Sequence, residues 1–146
     1  MVENTQDSSN ESAGVVLIID DNSDILEVLT EIIEIHTNFS TLTANSGKDG
    51  LEILKQQSVD VIILDFLMPV MTGLELLKVI RDRSIKTPVI MLTGKGDEAK
   101  KQEAFDSGVF DFLNKPVKAR DLLILVDEAH KVNQQVQAIL AKKKEA

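Results

Sequence analysis

The sequence predicts a three-layer α/β fold built on a parallel sheet. Five short runs of strand character recur along the chain: Val15–Asp20, Phe39–Ala44, Val59–Asp65, Pro88–Thr93 and Val109–Asn114. Their starts lie about 20–30 residues apart, the length of a strand plus a crossover helix. The intervals carry helix signals, so strand and helix alternate five times, a pattern met by right-handed crossovers with helices on both faces. At 146 residues the chain suits one core of this kind.

Taken in order, residues 1–14 are rich in Ser, Asn, Glu and Gln with little to bury, and read as a disordered leader. The first, third and fourth runs are nearly continuous Val, Ile and Leu, as strands covered on both faces require. The second and fifth alternate or are more polar and suit sheet edges. After the first run, a turn of about 100° per residue sets Ile25, Val28, Leu29, Ile32 and His36 on one arc facing the sheet. Asp24, Glu27, Glu31 and Glu34 fall opposite. Leu26 and Ile33 stand at the edge of the arc, where they either pack beneath neighbouring loops or form a partner-docking patch. Ser46 is placed to cap the second helix, and Thr72-Gly73-Leu74-Glu75 is a capping-box pattern opening a third that runs toward Asp82. Asp97 is placed to cap a fourth, which Gly108 ends.

Composition narrows the function. Cysteine is absent, which excludes disulfides, thiolate metal sites and a Cys nucleophile, and suits a cytoplasmic setting. His36 and His130 are the only histidines, so a His-rich metal centre is not expected. The net charge is −8, and no Lys or Arg precedes Lys48. Such an acidic front end repels phosphate backbones and anionic lipid, so neither nucleic acid nor a membrane is an expected direct partner. The longest wholly apolar stretch, Val15–Ile19, is far too short for a transmembrane span or a signal peptide.

In open parallel sheets, ligands bind beyond the carboxyl ends of the strands. Asp20 and Asp21 close the first run, Asp65 the third and Thr93 the fourth, while Lys115 and Pro116 follow the fifth. Singly, each is an ordinary cap or turn residue. Together they put three carboxylates, a hydroxyl and an ammonium on one edge. Crowded carboxylates repel, and at least one keeps its proton unless a cation shares the site. An all-oxygen set suits Mg²⁺. An Asp can attack phosphorus to give an aspartyl phosphate while cations neutralise the equatorial oxygens, and the remaining groups match that need.

The segments VVLIIDD, VDVIILDFLMPVMTGLELL, PVIMLTG and FDFLNKP, in this order, resemble the receiver domain of bacterial two-component response regulators from Val15 to about Lys131. The resemblance implies a flavodoxin-like (βα)5 sandwich with strand order 2-1-3-4-5. It implies that Asp65 accepts a phosphoryl group from the phosphohistidine of a histidine kinase or phosphotransfer protein. Mg²⁺ would be held by Asp21, Asp65 and the Leu67 backbone carbonyl, with Asp20 acting largely through water. Thr93 would move to bond one phosphoryl oxygen, Lys115 would pair with another, and the Lys115–Pro116 bond would be cis. The readout would be the fourth helix, fifth strand and fifth helix, with Phe112 as the rotating aromatic that serves an unnamed downstream target.

Two departures stand out. Phe112 lacks the hydroxyl of the Tyr that many receivers carry there, and Leu67 is apolar beside the path of hydrolytic water. Used in this way, Asp65 makes the protein a substrate and slow self-hydrolase rather than a turnover enzyme. The alternative is a receiver-like binding module acting without phosphorylation, against which the complete Asp20/Asp21/Asp65/Thr93/Lys115 set argues. A phosphatase of the haloacid-dehalogenase type wants a second Asp where Leu67 stands.

The tail is a third departure. Leu122, Leu125, Ala129, Val132, Val136 and Ile139 follow a 3-4-3-4-3 spacing. A helix from Asp121 to Lys144 is about 36 Å long, against about 20 Å for a six-residue strand. Residues 132–146 are therefore read as a helical extension beyond a receiver of residues 15–131. Lys142–Lys144 sit at the negative end of the helix dipole and need no nucleic-acid explanation. A coiled coil with a partner or a second copy, a linker within a longer regulator and a frayed end all fit this spacing.

Overall fold

A computed structural model describes residues 12–145 of the chain. Five strands alternate with five helices: β1 (Gly14–Ile19), α1 (Ser23–His36), β2 (Phe39–Ala44), α2 (Gly47–Gln56), β3 (Val61–Asp65), α3 (Gly73–Asp82), β4 (Val89–Thr93), α4 (Glu98–Asp106), β5 (Asp111–Asn114) and α5 (Ala119–Glu145). The leader expected over residues 1–14 lies outside the described residues as far as residue 11. Ala13 is already anchored, its N–H donating to the Asn38 carbonyl at 3.0 Å. No described helix is long and apolar enough to cross a membrane.

All four strand pairings are parallel, in the order β2-β1-β3-β4-β5. The two more polar runs form the edges. Alternation along the central strands feeds two separate cores. Leu17, Ile19, Ile62, Leu64 and Met91 pack with Leu54, Leu77, Ile80 and Ala104 from α2, α3 and α4. Val16, Ile18, Val61, Ile63, Ile90 and Leu92 pack with Leu29 and Ile33 of α1 and with Leu122, Val126 and Ala129 of α5. Right-handed crossovers dictate this division, because β1 leads outward to β2 while every later strand steps the other way. The direction reverses between β1 and β3, and there the crossovers part to leave a crevice at the carboxyl edge.

Register brings the acids to that crevice. Ile19 pairs with Leu64 and Asp65 with Leu92, so Asp20 and Asp65 emerge side by side from adjacent strands. Thr93 ends β4 opposite Asn114 of β5.

Several local expectations need correction. Val59 and Val109 lie outside the strands, although both are buried; they are apolar because loops carry them into the core. On α1, the buried face centres on Leu29 and Ile33 rather than on the arc through Val28 and His36. Val28 is 53% exposed and His36 is exposed, whereas Ile33 has no accessible surface. The helix is rolled because it packs against β1, β2 and α5 together rather than on the sheet alone. Ile33 therefore cannot be a docking residue, and Leu26, half-buried against the same core, does not form such a patch with it.

Helix α5 begins two residues earlier than expected and runs unbroken to Glu145. The body covers it as far as Asn133, whose side-chain amide donates to Asp60 Oδ1 at 3.4 Å. Beyond Asn133 no residue through Lys144 is buried.

Because Ile33 fills the core between α1 and the sheet, Ile33→Ala is expected to cost about 2–4 kcal/mol in urea unfolding. Val28→Ala, on the exposed flank, is expected to cost under about 1 kcal/mol. Equal costs would contradict the observed roll of α1.

Candidate functional site

The chain turns sharply after β1, and Asn22 organises the turn. Its side chain accepts from the N–H groups of Asp24 and Ile25 at 2.9 and 3.3 Å, capping α1, while its own N–H donates to Asp20 Oδ1 at 2.9 Å. Asp20 is thereby held inward, 1% exposed, and Asp21 is left facing solvent. Asp65 is 3% exposed at the end of β3. Carboxylate oxygens of Asp20, Asp21 and Asp65 lie within 4.8 Å of one another.

After Asp65 the chain passes through Val70, a β-branched residue at φ 71° with its side chain in solvent, a backbone region such residues avoid. It then enters α3 through the Thr72–Glu75 capping box. Gly73 closes this loop against the site. A Cβ there would sit 2.2 Å from the Asp65 carbonyl oxygen, so only glycine allows the approach.

From the other side, Lys115 Nζ reaches Asp65 Oδ1 at 2.6 Å, from just after β5 and next to the cis Lys115–Pro116 bond. Thr93 is fully buried, but its hydroxyl donates to Asn114 Oδ1 at 3.4 Å, near the limit of a hydrogen bond, rather than to Asp65. Asp97 departs from its expected role. Its carboxylate makes no cap bond to α4 and instead accepts from the Gly94 N–H at 2.8 Å, bracing the turn that follows Thr93.

Electrostatics favour a cation at this cluster. Burial pushes the Asp20 carboxyl up to about 6, opposed by the Asn22 N–H and raised further by the charge of Asp65; Lys115 lowers it and Asp21 raises it. Asp20 Oδ2 is buried without a hydrogen-bond partner. One ammonium faces three carboxylates, and the orphaned buried oxygen suits a cation ligand. The donors are all oxygen, which fits a hard divalent ion such as Mg²⁺.

The structure thus brings Asp20, Asp21, Asp65 and Lys115 into contact range and sets Thr93 on the same edge. Leu67 is 61% exposed on the loop beyond Asp65. Phe112 lies away from the acids, edge-on to Phe105 with ring centroids 5.1 Å apart and Lys101 Nζ 5.3 Å above its ring. Asn22, Gly73, Asn114 and Asp97 support the site without having been picked out for it. A glycine opening a capping-box helix, and an Asn directly after two acids, were the available signals.

A flavodoxin-like α/β domain with an acidic, lysine-paired crevice at its switch point is a well-defined class. Residues 16–127 match the response regulator receiver domain, and the chain belongs to that family, whose members work in phosphorylation-dependent signalling. It is 34% identical over 108 residues to the transcriptional regulatory protein CpxR of Escherichia coli strain K12, covering 74% of this chain and 45% of CpxR. It is 32% identical over 120 residues to the transcriptional regulatory protein ResD of Bacillus subtilis strain 168, covering 82% of this chain and 48% of ResD. The chain therefore spans less than half the length of these relatives. A response regulator receiver domain protein from Clostridium thermocellum shares 36% identity with a TM-score of 0.79, over 84% of this chain and 98% of that one. A structure described as adenylate cyclase from Rhodopirellula baltica shares 30% identity with a TM-score of 0.84, over 90% and 98%.

The raised Asp20 carboxyl has a definite sign. In buffer free of divalent ions, the folded chain binds this proton more tightly than the unfolded chain, so the contribution is stabilising at low pH and lost as pH rises through about 6. Asp20→Asn is therefore expected to match the wild type near pH 4 and to exceed it by about 1–2 kcal/mol at pH 7.5. Urea titrations at the two pH values check this, and a variant less stable than the wild type at pH 7.5 would contradict it.

Proposed function

We propose that this receiver accepts a phosphoryl group on Asp65 from the phosphohistidine of a histidine kinase or phosphotransfer protein, and that the modified site alters the α4–β5–α5 surface for a downstream target protein. The convergence of Asp20, Asp21 and Asp65 within 4.8 Å, with Lys115 already paired to Asp65, carries this reading. In the transfer, an Asp65 carboxylate oxygen forms the new bond to phosphorus as the bond to the histidine nitrogen breaks. The histidine keeps that electron pair and takes up a proton.

Asp21, Asp65 and the Leu67 carbonyl would hold Mg²⁺, with Asp20 acting through water. When bound, the ion supplies neutralisation of the charge on the equatorial oxygens. Lys115 is placed to follow one phosphoryl oxygen. Thr93 gives up only a long bond to Asn114 when its hydroxyl turns to another. The hollow of about 290 Å³ lined by Ile25, Val28, Lys115 and Pro116 offers the phosphodonor an apolar seat next to Lys115, the partner of Asp65.

The magnitudes suit a switch. A charge-assisted hydrogen bond contributes about 1.5–3 kcal/mol, and inverting a 1:99 population takes about 5.5 kcal/mol, so two or three new contacts suffice. Movement of Thr93 loosens Asn114 on β5, two residues from Phe112. Phe112 packs against Phe105, itself 50% exposed on α4, so this aromatic pair can repack without opening the core. The protein is then a cytoplasmic signalling substrate rather than a turnover enzyme, in keeping with its cysteine-free sequence.

Incubation with acetyl phosphate and Mg²⁺ is expected to add the mass of one phosphoryl group to the intact wild type, and chelation of the metal is expected to abolish the gain. Asp65→Asn is expected to gain nothing. An equal gain in both proteins would overturn the site assignment.

A further inference from the structure

Helix α5 presents two faces, and the domain covers one of them. Leu122, Val126 and Ala129 are buried against the sheet. On the adjoining flank Ile124, Val132 and Ile139 are 50%, 39% and 57% exposed. Together with exposed Asp121, Glu128 and Lys142 they form a single stripe, within about 80° of arc on an ideal helix. The charge along this stripe reverses. Its first half, carried on the domain, is acidic, and its second half, beyond the last buried residue, ends in Lys142.

We propose that this stripe is the docking surface for a second copy of the chain, with the two α5 helices packed antiparallel. One register matches its two ends. Asp121 faces the partner's Lys142 and Ile124 faces the partner's Ile139, with the two-fold axis passing between Lys131 and Val132.

Charge sets the direction. Parallel packing would put Asp121, Glu128 and Lys142 each against its own copy, whereas antiparallel packing sets Asp121 against Lys142 at both ends and Glu128 against the neutral Gln135. The antiparallel arrangement lays residues 134–142 along the domain-borne half of the partner helix. The whole stripe, about three heptads, is then used. The proposal rests on α5 alone and does not depend on chemistry at Asp65, so its test needs no phosphodonor.

The chain has no cysteine, which gives single-cysteine variants a clean background. Ile124→Cys and Ile139→Cys proteins are mixed and oxidised mildly with copper–phenanthroline. The mixture is expected to form a disulfide-linked dimer, while neither variant crosslinks alone. In the antiparallel pair, like positions stand about 22 Å apart along the helices, far beyond the reach of a disulfide. Separately, Asp121→Lys and Lys142→Glu are each expected to weaken dimerisation at least threefold in sedimentation velocity, and the double variant is expected to restore it. Efficient crosslinking of either single variant by itself would overturn the proposal, as would a mixture that stays uncrosslinked.

Discussion

Three carboxylates held within a few ångströms, two of them buried, repel one another, and the surrounding structure exists to keep them there. Lys115 offsets part of that repulsion from across the sheet, and the Asn22 N–H offsets another part from the turn below Asp20. Neither satisfies the second oxygen of Asp20. The site is therefore built around a positive charge that the protein does not itself supply in full. That imbalance favours a cation at the cluster, where a fully neutralised one would not.

The topology makes such crowding attainable. Parallel strands β1 and β3 are neighbours although their crossovers leave in opposite directions, so no helix N-terminus covers the gap between their ends. Two independent cores hold the strands in register, and Gly73 lets the α3 entrance press against the backbone of Asp65. The acids are thus fixed by main chain rather than by flexible side-chain packing. On the β4–β5 side the contacts are lighter: a long Thr93–Asn114 bond, and the edge-on Phe105–Phe112 pair.

Much of this was legible in the residues because burial on both faces writes itself as unbroken Val, Ile and Leu. The central strands and the chemistry at their ends follow directly. Strand order came from family resemblance, since local pattern holds no record of which strands lie side by side. The errors share a cause. Val59, Val109 and Ile33 are apolar for tertiary reasons that a periodicity within one element does not contain. Asp97 looked like a helix cap because Asp usually is one there, yet its carboxylate turns back to Gly94. The Thr93–Asn114 and Asp60–Asn133 bonds join residues 21 and 73 positions apart, and no sequence spacing announces them.

The central claim is that the crevice formed by Asp20, Asp21 and Asp65 binds one divalent ion. Titration of the isotopically labelled chain with substoichiometric Mn²⁺, followed by amide NMR, tests it most directly. Paramagnetic broadening is expected first at residues 20–22 and 65–67, then at Thr93 and Lys115, with competition by excess Mg²⁺ and loss of the effect in Asp21→Asn. Broadening centred instead on the acidic outer face of α1, around Glu27 and Glu31, would show that the ion seeks surface charge and that the crevice is not a metal site.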